Sequence, residues 1–208
     1  MSNYKNLING FKQFHKENYF KNKSIFRRLQ KKQTPRTLFI SCSDSRVDPA
    51  TITKSKLGEI FVIRNIANLI PNDRSAKPNN STIAAIEFAI KTLKIKNIVV
   101  LGHSGCSGVQ SIISKKKIKD SPYVNEWIKI GSKIQNSIKN KSLNDKEKVV
   151  FAEKENIKHS LKNLLTFPWI KNKIRKKELS IYGWYFSIDD CNIHQYNKEK
   201  DNFTRIKV

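Results

Sequence analysis

Glycine and proline are scarce in this chain, 7 and 6 residues of 208, which excludes collagen-like and low-complexity architectures. Cysteine is scarcer still. Three residues, an odd number, do not make the disulfide framework of a small secreted domain. No stretch approaches 18 consecutive apolar residues, so no membrane-spanning helix is predicted. The opening MSNYKNLINGFKQFHKENYF lacks the basic segment and apolar core of a secretory signal. The chain is therefore expected to be cytoplasmic, with its thiols reduced and available to a metal.

Acidic residues are also few, 17 against 41 Lys and Arg, for a formal charge of +24. Such an excess ordinarily points to a nucleic acid or an anionic membrane. Here it consists of 33 Lys and only 8 Arg, alongside 21 Asn and 27 Ile, a bias that A/T-rich codons produce without selection for a ligand. A reader of phosphates favours the planar fork of Arg and gathers it on one element. These lysines are scattered from Lys5 to Lys207. Neither specific nucleic acid nor membrane is expected as a partner, and the runs at 115–117 and 176–177 are expected to be solvated loop charge.

What is present is 38% hydrophobic residues in a length that suits one well-cored domain. Leu7, Phe11, Phe14, Ile25, Phe26 and Leu29 recur at helical spacing and predict an N-terminal amphipathic arm. The short apolar runs at 37–41, 59–65 and 97–101 predict buried strands. Between the last two, Ser81 is expected to cap a helix carrying Ile83, Ile86, Phe88, Ile90 and Leu93. Further helices are expected after Cys106, over 127–138 and over 149–165, with Pro168 stopping the last. The aromatic-rich run 178–188 predicts a strand that turns at Asp189 and Asp190. This alternation defines the α/β class: a mainly parallel sheet flanked by helices, with ligand sites at the carboxyl ends of its strands.

Two predicted strand ends carry metal-type ligands. Cys42 follows the first, and His103 with Cys106, spaced H-x-x-C, follows the third. Two thiolates and an imidazole suit Zn²⁺, and three protein ligands leave a fourth position for water, whose pKa then falls from 15.7 to roughly 7. The remaining thiol, Cys191, lies in a distant polar turn. Asp44 and Arg46 are two residues apart, so one turn allows a bidentate pair, and the carboxylate is then free to accept a hydrogen bond from metal-bound water. Were that pair to break, Asp44 itself is placed to become a fourth ligand in a closed, inactive state. Each feature alone has a bland alternative: a buried thiol, a loop histidine, a turn ion pair. His15, His159 and His194 fall in polar segments and are expected to be solvated.

C-x-D-x-R followed by H-x-x-C about 60 residues later resembles the β-class carbonic anhydrases. The resemblance extends to Gln33-Thr34-Pro35, the GEIFVIRNIAN segment at 58–68, AIEFA at 85–89, Gly102-His103-Ser104, Glu155-Asn156 and Tyr182-Gly183-Trp184. It implies one Zn²⁺ per chain on Cys42, His103 and Cys106, with Asp44 and Arg46 as the catalytic dyad. It also implies that Gln33 contacts bicarbonate across a dimer interface and that Phe61 and Ile66 line an apolar CO₂ pocket. Phe88 stands where the plant-like branch often has Tyr, and Ser107 where Gly is usual, so both are expected at the substrate pocket. Phe39 in place of a Trp, together with Gln33, resembles the plant-like, constitutively open branch.

The implied activity is reversible hydration of CO₂ to bicarbonate and a proton by hydroxide generated on zinc. The implied assembly is a homodimer or a dimer-based oligomer. A carbonyl sulfide or carbon disulfide hydrolase on the same scaffold is the nearest alternative. A basic nucleic-acid-binding protein with a structural zinc is a more distant one. The domain expected is single, 1–208, with a helical arm over 1–33, a zinc-binding core and C-terminal strand over 34–190, and a polar tail over 191–208.

Overall fold

The computed structural model describes residues 3–114, 116–139 and 141–207, and the chain divides into two compact units, Met1–Thr34 and Pro35–Val208. Lys115, the first residue of the predicted lysine loop, lies outside the described residues.

The first unit is helical, as its periodicity predicts: α1 (Asn3–Phe14), a π-helical turn (His15–Tyr19), a 3-10 turn (Phe20–Asn22) and α2 (Lys23–Lys31). Phe14 and Tyr19 both pack edge-on against Phe26, with ring centroids 6.1 and 5.3 Å apart, which folds the arm on itself. Leu7 and Phe11 stay 67% and 65% exposed, so the arm keeps an apolar face toward solvent.

The second unit is built on six strands: β1 (Thr37–Cys42), β2 (Ile60–Asn65), β3 (Asn97–His103), β4 (Ser180–Ser187), β5 (Asn192–Asn197) and β6 (Asn202–Arg205). Their order is β2-β1-β3-β4-β5-β6, with the first four parallel and the last two antiparallel. The helices are α3 (Pro49–Thr53), α4 (Ser81–Lys91), α5 (Ser107–Ser114), α6 (Pro122–Ile128), α7 (Ile134–Ile138), α8 (Asp145–Leu164) and α9 (Pro168–Arg175). Alternate strand residues serve opposite faces. Leu38, Ile40, Ile98 and Val100 join Ile86, Ile157, Leu164 and Ile170 in the main core, while Phe39, Val99 and Leu101 join Val47 and Phe186. Burial on both faces is why these strands are continuous apolar runs. Gly102 and Gly183 let α8 approach closely, since a Cβ at either would lie within 2.8 Å of Ile157.

Several boundaries differ from the sequence expectation for local reasons. The residue capping α4 is Asn80, whose Oδ1 accepts from the Ile83 N–H, and not Ser81. Helix α8 begins four residues early because Asn144 and Glu147 form a capping box. Pro168 does more than stop α8. It opens α9, where a first-turn proline lacks only an N–H that has no helical partner. The supposed polar tail over 191–208 instead carries β5 and β6. Lys158 of α8 holds it, reaching Glu155 at 2.6 Å and Asp201 at 2.7 Å, while the tilted rings of Tyr196 and Phe203 pack with centroids 5.2 Å apart. Neither short strand alternates polar with apolar clearly enough to be seen in sequence.

His159 is half-buried, not solvated. Its Nε2 lies 2.9 Å from the Ile130 carbonyl, and burial, with Lys133 and Lys162 nearby, pushes its pKa below the ordinary 6.5. The folded state thus binds this proton less readily than the unfolded chain. Its contribution to stability is complete above pH 6.5 and is lost as pH falls through the depressed value. Urea titrations from pH 7.5 to 5 should show His159→Gln with a shallower acid loss than the parent chain. Parallel curves would remove His159 from the acid limb.

Candidate metal centre

The site sits where the sheet order reverses. The chain leaves β1 for β2 on one side and then β3 on the other, which opens a crevice at the carboxyl ends of β1 and β3. Cys42 is the last residue of β1 and His103 the last of β3, and the two strands run in parallel register. Cys106 follows three residues later, just ahead of α5. The three side chains are at most 5% exposed, and their ligand atoms all lie within 4.8 Å of one another.

The residues fit Zn²⁺. Thiolates each about 2.3 Å from a tetrahedral zinc stand about 3.8 Å apart, and the two sulfurs here are 3.9 Å apart. His103 Nδ1 lies 2.9 Å from the Ser104 carbonyl, the arrangement in which Nδ1–H donates and Nε2 keeps a lone pair. That Nε2 is buried without a hydrogen-bond partner, which a cation would supply. The hydrogen bond with Cys106 pulls the Cys42 thiol down to about 4 against the cost of burial, helped by His103 and the backbone N–H groups of Asp44 and Ala67. The same contact and burial drive Cys106 far up. Two thiolates this close are stable together only with a cation between them.

Asp44 and Arg46 meet as the sequence predicts. Arg46 Nε donates to Asp44 Oδ1 at 2.9 Å and Nη2 to Oδ2 at 2.8 Å, a bidentate pair. Nη2 also donates to the Gly105 carbonyl at 3.1 Å, so the guanidinium ties the two ligand loops together. Gly105 has φ +68°, a conformation that favours glycine. Arg46 holds the Asp44 carboxyl well below the usual carboxylate range, and Oδ2 lies 3.8 Å from His103 Nε2.

A family model described as carbonic anhydrase matches residues 37–193. A carbonic anhydrase of Helicobacter pylori is 37% identical over 95% of this chain and 92% of its own. This chain belongs to the β-carbonic anhydrase family. The chloroplastic beta carbonic anhydrase 5 of Arabidopsis thaliana is 36% identical over 89% of the chain and 62% of its own length. Among solved structures, the β-carbonic anhydrase CcaA superposes with a TM-score of 0.94 at 35% identity, covering 99% of this chain and all of the other. A pair of tetrameric β-carbonic anhydrases from Sordaria macrospora is represented at TM-score 0.81 and 28% identity, over 92% of this chain and 95% of that one.

The other predicted residues of this β-carbonic anhydrase lie outside the cluster of ligand atoms. Ile66 is 39% exposed and lines a cleft of about 490 Å³ with Ser43, Arg64, Ala85 and Trp127. Phe61 packs against the main core, and its ring centroid lies 6.2 Å from that of Phe88 on α4, which is 44% exposed. Ser107 is exposed at the first position of α5, and Gln33 is exposed within the arm unit.

Two polar residues beside the ligands escaped the sequence reading. Arg64 donates to the carbonyls of Cys42, Asp44 and Val47, at 3.1, 2.6 and 3.0 Å, and so fixes the whole C-x-D-x-R loop. Glu153 is 1% exposed and accepts from the Cys106 N–H at 2.9 Å and the Tyr185 hydroxyl at 3.0 Å. Burial raises its pKa, with those two donors opposing. Arg64 lies within the GEIFVIRNIAN segment, so its surroundings were legible and its role was not.

Proposed function

We propose that this chain hydrates CO₂ reversibly to bicarbonate and a proton, with Zn²⁺ held by Cys42, His103 and Cys106. The observation that carries the reading is three buried ligand atoms within 4.8 Å beside a carboxylate already engaged by Arg46. Bound in such a set, Zn²⁺ supplies Lewis acidity that brings the pKa of water to roughly 7. The protein's part is orientation. Asp44 stays ionised at neutral pH and remains an acceptor for a water proton, while Arg46 keeps it from collapsing onto the ligands, which supports the open, plant-like arrangement. Ile66, Phe61 and Phe88 are assigned to an apolar wall for a small uncharged substrate, and Gln33 and Ser107 to contacts with the product anion.

The functional unit is a homodimer or a dimer-based oligomer. The tetrameric Sordaria enzymes support this, as do the exposed Leu7 and Phe11 of the arm and the exposed Val62 of the edge strand β2. Cytoplasmic location is part of the same reading. Among the described residues, no helix is long and apolar enough to cross a membrane.

Carbonyl sulfide or carbon disulfide hydrolysis is compatible with the same ligands, so the substrate needs a direct assay. Stopped-flow indicator measurements should give CO₂ hydration with kcat/KM in the range of about 10⁴–10⁸ M⁻¹s⁻¹. Sulfide release with negligible CO₂ turnover would reassign the substrate.

A further inference from the structure

The segment from Ile66 to Ile70 has an unusual way of meeting its hydrogen bonds. Five successive carbonyls each accept from a side chain: Ile66 from Trp127 Nε1 at 2.9 Å, Ala67 from Asn156 Nδ2 at 2.7 Å and Asn68 from Ser160 Oγ at 3.0 Å. Leu69 accepts from Asn65 Nδ2 at 2.9 Å and Ile70 from Asn163 Nδ2 at 2.7 Å. Within this segment Ala67 and Asn68 have φ of 59° and 45°, two consecutive left-handed residues of which neither is glycine. Such a conformation is unfavourable for L side chains and persists only where its surroundings over-determine it. Five dedicated donors do that here.

The strained turn lies against the metal ligands. Ala67 is fully buried in one apolar cluster with Cys42 and Cys106, and its backbone N–H faces the Cys42 sulfur. Three of the five donors, Asn156, Ser160 and Asn163, are spaced at helical intervals along the buried face of α8. Glu153, one turn earlier on the same stripe, takes the N–H of Cys106. One helix face therefore reaches both thiolates through backbone, by way of Ala67 to Cys42 and directly to Cys106.

We propose that the buried polar stripe of α8 is a positioning device for the two metal-binding sulfurs, with Asn156 holding the left-handed Ala67 turn against Cys42 and Glu153 holding the backbone of Cys106. The proposal rests on the assignment of Cys42, His103 and Cys106 as the metal set. Asn163 belongs to the same stripe but holds Ile70, three residues beyond Ala67, and so provides an internal control. Loss of groups that orient metal ligands commonly costs 10–100-fold in metal affinity.

The test compares Asn156→Ala with Asn163→Ala in the full-length chain. Zinc transfer to a chromophoric chelator and the thiolate-to-cobalt charge-transfer band of the Co²⁺-loaded protein are read beside the thermal midpoint. Asn156→Ala should release zinc at least tenfold faster and shift the charge-transfer band. Asn163→Ala should lose thermal stability with release within about twofold of the parent and an unmoved band. If Asn156→Ala does not fold, Ser160→Ala carries the comparison with the same expected direction. Equal effects in the two variants, or an unchanged band in Asn156→Ala, would show a purely structural stripe and overturn the proposal. A parent chain that binds neither zinc nor cobalt would overturn the metal assignment itself, and the inference with it.

Discussion

Cys106→Ala is expected to leave the chain folded, nearly free of zinc and without measurable CO₂ hydration. The substitution removes one of the three proposed protein ligands, and the two that remain come from different strands, Cys42 and His103. Zinc bound by two protein ligands and solvent loses a large part of a binding free energy that reaches about 10–16 kcal/mol in complete sites. The packing loss is small by comparison, since Cys and Ala differ by one buried sulfur atom, and the circular dichroism spectrum should be retained. Cys191→Ala is the matched control. That thiol is exposed in the turn before β5, and its removal should leave a full equivalent of zinc. Zinc determined by mass spectrometry decides the matter. A full equivalent in Cys106→Ala would dismantle the proposed ligand set.

Asp44→Asn separates metal binding from turnover. The residue is not among the three proposed ligands, so zinc content should stay at one per chain. Hydration should fall by about 10²–10⁴-fold, the usual contribution of a positioned proton acceptor, which corresponds to about 2.7–5.4 kcal/mol in the barrier. An asparagine amide has one acceptor oxygen where the carboxylate has two, and it turns NH₂ donors toward either Arg46 or the water. The bidentate pair through Nε and Nη2 cannot survive that change. Stopped-flow rates on protein of verified zinc content give the answer. An undiminished rate would remove Asp44 from the mechanism, whatever the geometry of its ion pair.

The three residues of the proposed metal set were legible because each is tied to a local pattern. A buried parallel strand is a short apolar run, and its carboxyl end is marked by the first polar or small residues that follow, as in SCSDSR at 41–46 and GHSGC at 102–106. The resemblance of these two motifs to one family then fixed their order and partners. That Phe39 faces opposite to Leu38 and Ile40 follows from the period-two rule, whereas its packing against Trp184 of β4 depends on the order of the strands in the sheet.

Ser160, Asn163 and Glu153 were not legible, and Asn156 was legible only as part of the Glu155-Asn156 resemblance, without its role. A polar residue on a helix is assigned to solvent unless something is known to lie opposite it, and their partners, Ala67, Asn68, Ile70 and Cys106, are 47 to 93 residues away. The hairpin of β5 and β6 was hidden for a related reason. Its strands are short and polar, and what holds them is a long-range ion pair between Lys158 and Asp201 together with pairing to β4.

The amino-acid order by itself therefore determined which side chains make up the proposed metal set and the parallel strands that carry them, because both depend on neighbours within a few residues. Only the tertiary structure decided how those side chains are held. A buried carbonyl takes whichever donor the fold brings to it, and nothing in its local sequence names that donor.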